Sequence, residues 1–399
     1  MKYIVILGDG MADEPIPELN GLTPLAHANT PTMDALAGSG TMGLAKTVPD
    51  SMKPGSDVAN LAVLGYDPEK NYSGRSPLEA LSVGVKMEDD DVVFRCNLVT
   101  LSEDMPYEKK TILDHSSGEI STRESGLLLN TLRHAFTDDR FSFYVGTSYR
   151  HICVWKHGKV LDMTPPHDHL GQVIGPFLPE EPVFRDMMER SYSILNDLPL
   201  NQARAAKGLN KANSMWFWGA GTKPALQSFY EKTGLHGAMI SAVDLLKGIA
   251  VGTGMKVIPV PGATGGLNTD YEGKAKAAVK ALLKDGMDLV YVHVEAPDEM
   301  GHQGSVSKKV QSIEWLDSRL IAPIKAEMDA SGEPYRMLIA PDHPTPIRCR
   351  THTSDPIPFL IYDSRVHSTG TGRYNEAEAK MTGIYEPNGY KLIDRLIQK

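Results

Sequence analysis

Apolar positions along this chain fall into two textures. The run YIVIL predicts a strand over 3–7 that stops at Gly8-Asp9-Gly10. After a loop rich in Pro and Gly, TPTMDALAGSG predicts a helix capped by Thr30 and stopped by Gly40. In SDVANLAVLGYDP, the spacing of Val58, Leu61, Ala62 and Leu64 predicts a short helix opened by Ser56 and ended by Gly65. From 88 to 200 the runs alternate instead: VVFRCNLVTL, RFSFYVG and HICVW, separated by polar turns and a helical stretch at SGLLLNTLRHAF. From 205 near-continuous apolar runs return as SMWFWG, AMISA, VIPV, DLVYVHV, RMLIAP and FLIY. Amphipathic stretches such as KAKAAVKALLKDG lie between them. This rhythm predicts an α/β fold, a mostly parallel sheet flanked by helices on both faces. The expected organisation is a discontinuous core, 1–87 and 201–399, carrying a smaller inserted α+β domain over 88–200.

Bulk properties narrow the function classes. With 399 residues and 41% hydrophobic content, the chain can bury a sizeable core in two domains. A net charge of −9 argues against nucleic acid or an anionic membrane surface as partner. The acidic run Glu88-Asp89-Asp90-Asp91 reads as a solvated linker. Three cysteines, Cys96, Cys153 and Cys349, are far apart and form no CxxC, which fits a reducing, cytoplasmic setting. MKYIVI runs straight into GDG, so no signal peptide is expected, and no apolar stretch approaches the ~18 residues of a membrane span.

Candidate chemistry gathers where the predicted strands end. Asp9 follows the first strand, Asp298 and His302 follow DLVYVHV, Asp342 and His343 end MLIAP, and His352 comes soon after in RTHTSDP. Open α/β sheets build their sites beyond the carboxyl ends of strands. Asp298 and His302 are spaced to share one face of a helix. Buried strand-end carboxylates are costly unless paired or coordinated. Ser56, at a helix start, is the natural nucleophile, and metal coordination is one way to activate a hydroxyl. No GxSxG, Walker-type GxxxxGK[ST] or GxGxxG occurs, and GAGTKP at 219–224 has neither phosphate-motif spacing. An α/β-hydrolase triad, a P-loop kinase and a Rossmann dehydrogenase are therefore disfavoured. The seven residues read as a two-metal site for phosphoryl chemistry.

GDGMAD, TPLAHANTPTMDALA, GSDVANLAVLGYDP, YSGRSPLEALSVGV, FRCNLVT, DHSSGEIS, APDEMGHQG, APDHPTP and THTSDPIPF, in this order, resemble the alkaline phosphatase superfamily. Within it they are similar to the archaeal-type branch of the cofactor-independent phosphoglycerate mutases. The resemblance implies that Ser56 is phosphorylated in turnover of a small phosphorylated, anionic substrate. Asp9, Ser56, Asp342 and His343 would hold one divalent metal, and Asp298, His302 and His352 a second. Manganese is the metal implied, with magnesium, cobalt or zinc as substitutes. The implied reaction interconverts 3- and 2-phosphoglycerate, with the inserted domain closing on substrate. Arg150 and His151 in SYRHICVW, and His167 with Asp168 in TPPHDHLG, resemble substrate-meeting motifs. Lys247 in AVDLLKGIA and Arg75 in GRSPLEA could add positive charge, although Arg75 could equally pair with Glu79. One departure stands out: related mutases often carry an arginine in the strand before the GxG turn. Here that strand reads MWFWGAG, with Trp216 and Trp218. Two alternatives stay open, a homoserine kinase on the same metal site and a non-catalytic metal-binding relative.

Overall fold

The computed structural model describes residues 1–398 except 104, 137 and 367–371. Two compact units emerge, one made of Met1–Tyr72 and Ala225–Lys399, the other of Ser73–Pro224. Among the described residues, no helix is long and apolar enough to cross a membrane.

In the first unit the continuous apolar runs form an eight-stranded sheet. Its order is Tyr385–Glu386, Thr41–Ala45, Ile357–Asp363, Tyr335–Ala340, Lys2–Gly8, Leu289–Val294, Gly237–Ile240, Lys256–Val257. Every neighbouring pair is parallel except at Ile357–Asp363, which runs against both of its neighbours. Lys2–Gly8 lies between two parallel strands, with Ile4 opposite Val290 on one side and Met337 on the other. One sheet face presents Ile4, Ile6, Val290, Val292, Met337 and Ile339 to Ala275, Ala278 and Leu282 of the helix Tyr271–Leu283. Ala275, Ala278 and Ala281 let this helix lie close against the sheet. The helix Pro31–Ser39 forms as expected, but Thr30 makes no capping hydrogen bond. Instead Asp317 accepts from the N–H groups of Met33 (2.6 Å) and Thr32 (3.2 Å), placing a carboxylate at the positive end of the helix from a distant segment.

The second unit is an antiparallel five-stranded sheet. Val92–Leu101 pairs with Arg150–Trp155 along one edge, with Ser214–Thr222 along the other, and with Ile112–Asp114 near its end; Phe141–Tyr144 extends the sheet beyond Arg150–Trp155. Phe94, Phe184 and Phe217 pack in its core with Leu128, Leu129 and Leu132 of the helix Thr122–Ala135. The unit boundaries differ from the expected 88 and 200. SMWFWG was expected in the parallel sheet, yet it bonds along Val92–Leu101, with Asn97 opposite Trp216. The helix Arg75–Ser82 joins the same unit through Glu79, whose Oε2 accepts from Arg95 Nε at 2.7 Å. An apolar run shows that a strand is buried, not which sheet buries it.

The two tryptophans of that strand have different surroundings. Trp216 is fully buried and donates from Nε1 to Thr164 O at 2.9 Å. Trp218 lies opposite Arg95 in register, with the guanidinium 4.6 Å from its ring centre. A positive charge missing from MWFWGAG is thus present on the adjacent strand, although Glu79 binds it through both oxygens. Burial draws the Glu79 carboxyl up, but Arg95 and then Arg75 more than offset it and hold it at about 2. A depressed carboxyl pKa adds stability above its unfolded value and loses it as the pH falls. Glu79→Gln should cost about 3 kcal/mol at neutral pH by leaving Arg95 without its partner. The difference from wild type should shrink as pH drops from 4.5 toward about 2. Urea denaturation followed by tryptophan fluorescence tests this, since Trp155, Trp216 and Trp218 all lie in this unit. A difference independent of pH would refute it.

Candidate active site

Four neighbouring parallel strands, Gly237–Ile240, Leu289–Val294, Lys2–Gly8 and Tyr335–Ala340, end at one edge of the sheet. Just beyond those ends come Ser241, Glu295, Asp9 and Asp342. The first turn requires glycine: Gly10 has φ +59°, and a Cβ there would lie 2.6 Å from Asp298 Oδ1 and 2.5 Å from Thr345 Oγ1. Asp298 and His302 ride on the short helix Ala296–His302, with His302 Nε2 3.2 Å from Asp298 Oδ2. His352 Nε2 lies 3.4 Å from Asp298 Oδ1 and 3.0 Å from His302 Nε2. Ser56 opens the helix Ser56–Val63, and its Oγ is 3.1 Å from His343 Nε2. That nitrogen is also 3.3 Å from Asp342 Oδ2 and 3.6 Å from Asp9 Oδ1. All seven residues named for the metal site therefore meet in the first unit.

Two groups among them could each close on an ion: Asp9 with Asp342 and His343, and Asp298 with His343 and His352, the ligand atoms of each lying within 4.8 Å of one another. His343 stands in both. His302 reaches the second group through its contacts with Asp298 and His352.

The electrostatics suit a cation. Burial, then the neighbouring Asp342 and Asp298 charges, push Asp9 well above the usual carboxylate range. Among the described residues its Oδ1 is buried without a hydrogen-bond partner. Burial also opposes ionisation of Asp298, but hydrogen bonds from His302 and His352 outweigh it and hold that carboxyl well below the usual range. The Asp298 hydrogen bond in turn raises His302 to about 9. His302 thus holds a proton at neutral pH, and the surroundings of Asp9 favour its protonated form. Where donor atoms converge on one point, a divalent ion displaces such protons.

Several neighbours were not anticipated from the sequence. His293 Nε2 is 2.8 Å from Asp9 Oδ2, and burial, followed by the Lys274 charge, lowers the imidazole to about 3. Asn60 Nδ2 donates to Asp342 Oδ2 at 2.9 Å, and Thr345 Oγ1 donates to Asp298 Oδ1. The one visible cue was His293 itself, a polar interruption in DLVYVHV.

Of the proposed substrate residues, Arg75, Arg150, His151 and His167 lie in the second unit and Lys247 in the first. His151 is fully buried and its Nδ1 accepts from Gly146 N at 3.2 Å, so it presents no surface to a ligand, contrary to expectation. Its neighbour Arg150 is exposed, with its guanidinium 5.4 Å from the Tyr149 ring centre. His167 lies edge-on to Trp218 at 5.3 Å and 3.7 Å from Asp168. Arg75 Nε bonds Glu79 at 3.0 Å, and Lys247 bonds Asp244 at 3.1 Å within its own helix.

The chain is similar to proteins of one known family. A family model described as 2,3-bisphosphoglycerate-independent phosphoglycerate mutase matches residues 37–201. A protein of Methanosarcina barkeri with that name is 50% identical over 407 residues, covering all of both chains. Its counterpart in Methanothrix thermoacetophila is 45% identical over 400 residues, again covering both chains fully. A solved structure titled as a cofactor-independent phosphoglycerate mutase from Thermoplasma acidophilum superposes with a TM-score of 0.67 at 26% identity, covering 100% of this chain and 99% of that one.

The loops that carry the ligands share one buried cation. Lys309 Nζ donates to Thr345 O (2.8 Å), Asp13 Oδ2 (2.8 Å) and Ala12 O (3.3 Å). Lys309→Met would strand the buried Asp13 carboxylate and should lower stability by about 3–5 kcal/mol. Equilibrium denaturation in urea measures this, and an unshifted midpoint would contradict the role assigned to the lysine.

Proposed function

Because this chain belongs to the 2,3-bisphosphoglycerate-independent phosphoglycerate mutase family, we propose that it interconverts 3- and 2-phosphoglycerate through a phosphoserine at Ser56, at a site for two divalent metals. The observation that supports this most directly is the 3.1 Å separation of Ser56 Oγ from His343 Nε2, beside the unpartnered Asp9 Oδ1. Asp9, Ser56, Asp342 and His343 would hold one ion. Asp298, His302 and His352 would hold the other, with His343 within reach of it. Manganese is the proposed metal, and the mixed oxygen and imidazole set also suits magnesium, cobalt or zinc. When bound, the ions supply positive charge that eases ionisation of the serine and offsets charge on the phosphoryl oxygens.

The chain's own residues do the rest. Ser56 Oγ, its proton released, attacks phosphorus in line, and as the Oγ–P bond forms, the bond to the 3-oxygen breaks and that oxygen keeps the electron pair and takes up a proton. Glycerate reorients, its 2-hydroxyl gives up its proton as the oxygen attacks phosphorus, and Oγ leaves with the electron pair and regains a proton. Ser56 begins the helix Ser56–Val63, so a phosphoryl group on it lies at the positive end of the helix dipole. Asp57, next in the chain, is fixed by Tyr72 Oη at 2.7 Å, which steadies this turn. Arg75, Arg150, His167 and Lys247 remain the proposed contacts for the substrate anion. A cytoplasmic setting is part of the proposal and rests on three free cysteines.

With manganese and no added bisphosphoglycerate, the protein should turn 3-phosphoglycerate into 2-phosphoglycerate in an enolase-coupled assay. Chelation should abolish turnover and manganese restore it. Ser56→Ala should reduce the rate roughly a thousandfold or more while leaving the fold intact. ATP consumption that depends on homoserine, with no mutase turnover, would sink this reading and favour a kinase.

A further inference from the structure

We propose that Tyr291 and His293 are positioning residues that orient Asp342 and Asp9 for one of the two metal ions. This rests on the two-metal reading above. The two side chains are alternate residues of Leu289–Val294, so they share one face of that strand while Val290, Val292 and Val294 fill the core on the other. Each begins a hydrogen-bonded chain that ends on a different carboxylate. Tyr291 Oη donates to Asn60 Oδ1 at 2.6 Å, and Asn60 Nδ2 donates to Asp342 Oδ2 at 2.9 Å and to Ser56 O at 2.8 Å. His293 Nε2 lies 2.8 Å from Asp9 Oδ2, and its Nδ1 lies 3.1 Å from Ser241 Oγ.

The direction of the second chain follows from Asp9, which as a metal-bound carboxylate can only accept. The ring proton is then on His293 Nε2 and points at Asp9. His293 Nδ1 in turn accepts from Ser241 Oγ, which itself accepts from Val243 N at 3.0 Å. Lys274 Nζ, fully buried, donates to His293 O at 2.9 Å and holds the strand end from behind. Asp9 Oδ2 is occupied by this bond, so Oδ1, which has no hydrogen-bond partner, is the oxygen left to face a cation. Asp342 is fixed more heavily, since its Oδ1 also accepts from Gly10 N (3.1 Å) and His343 N (2.8 Å). Partners one bond removed from a metal set the orientation and basicity of the ligands. Because Asn60 bonds both Asp342 and the Ser56 carbonyl, the first chain also ties the nucleophile's main chain to the metal ligand.

The test is calorimetric titration of manganese into metal-stripped full-length protein. Wild type should take up two equivalents. His293→Ala should weaken one of them roughly 10–100-fold and leave the other unchanged. His293→Gln, which keeps an N–H near the Nε2 position, should recover most of that loss. Tyr291→Phe should weaken the same equivalent by less. If both equivalents weaken together, or neither does, the inference is overturned while the metal reading stands. If wild type takes up no manganese, both fall. Should His293→Ala fail to fold by circular dichroism, Tyr291→Phe decides, because losing one hydroxyl leaves the ring packed; unchanged binding in that variant overturns the inference.

Discussion

Carboxylates that share a dry pocket repel one another, and this fold gathers Asp9, Asp298 and Asp342 around a single imidazole, His343. At an effective dielectric of 20, two such charges ~4 Å apart cost about 4 kcal/mol. A few uncompensated pairs would cancel the ~5–15 kcal/mol that holds an ordinary domain together. Much of the first unit's polar architecture answers that demand. The buried Lys274 and Lys309 stand behind the ligand-bearing segments, backbone N–H groups of Gly10 and His343 turn toward Asp342, and imidazoles line the remaining sides. Four parallel strands ending together make the crowding possible, and Gly10 removes the Cβ that would keep Asp298 away.

That same demand explains what could be read from the amino-acid sequence and what could not. Asp9, Asp298 and Asp342 were legible because each closes an apolar run beside Gly or Pro, where a structural reason for an acid is hard to find. Lys274 and Lys309 were not, because each lies in an amphipathic helix and looks like any solvated lysine there. Asn60 sits mid-helix in the same disguise. Tyr291 and His293 lie within a strand whose apolar alternates advertise burial, and only the polar His293 stands out there. Only the tertiary fold tells which of these polar groups has a carboxylate opposite it. The Thr30 cap failed for a related reason: Asp317 took that place from far along the chain.

In the second unit the sequence misled through a strand that looked like its neighbours in sequence. Ser214–Thr222 is as apolar as the core strands, yet its hydrogen bonds run to Val92–Leu101. Placing it there brings Arg95 over Trp218 and explains how an aromatic strand keeps a guanidinium beside it. Buried His151 shows the reverse case, where a residue flanked by an exposed arginine turns inward with the pleat.

The first strand, held between Leu289–Val294 and Tyr335–Ala340, has a consequence for how the molecule is made. Its earliest partner in the sheet centre emerges from the ribosome about 280 residues after it, roughly 15 to 55 seconds at 5–20 residues per second. The apolar run YIVIL must wait through that interval without a native neighbour on either side, while the whole second unit is synthesised and can fold. The YIVIL segment is thus long exposed to wrong pairing during synthesis, and Asp9 enters its site only after Asp298 and Asp342 have been made.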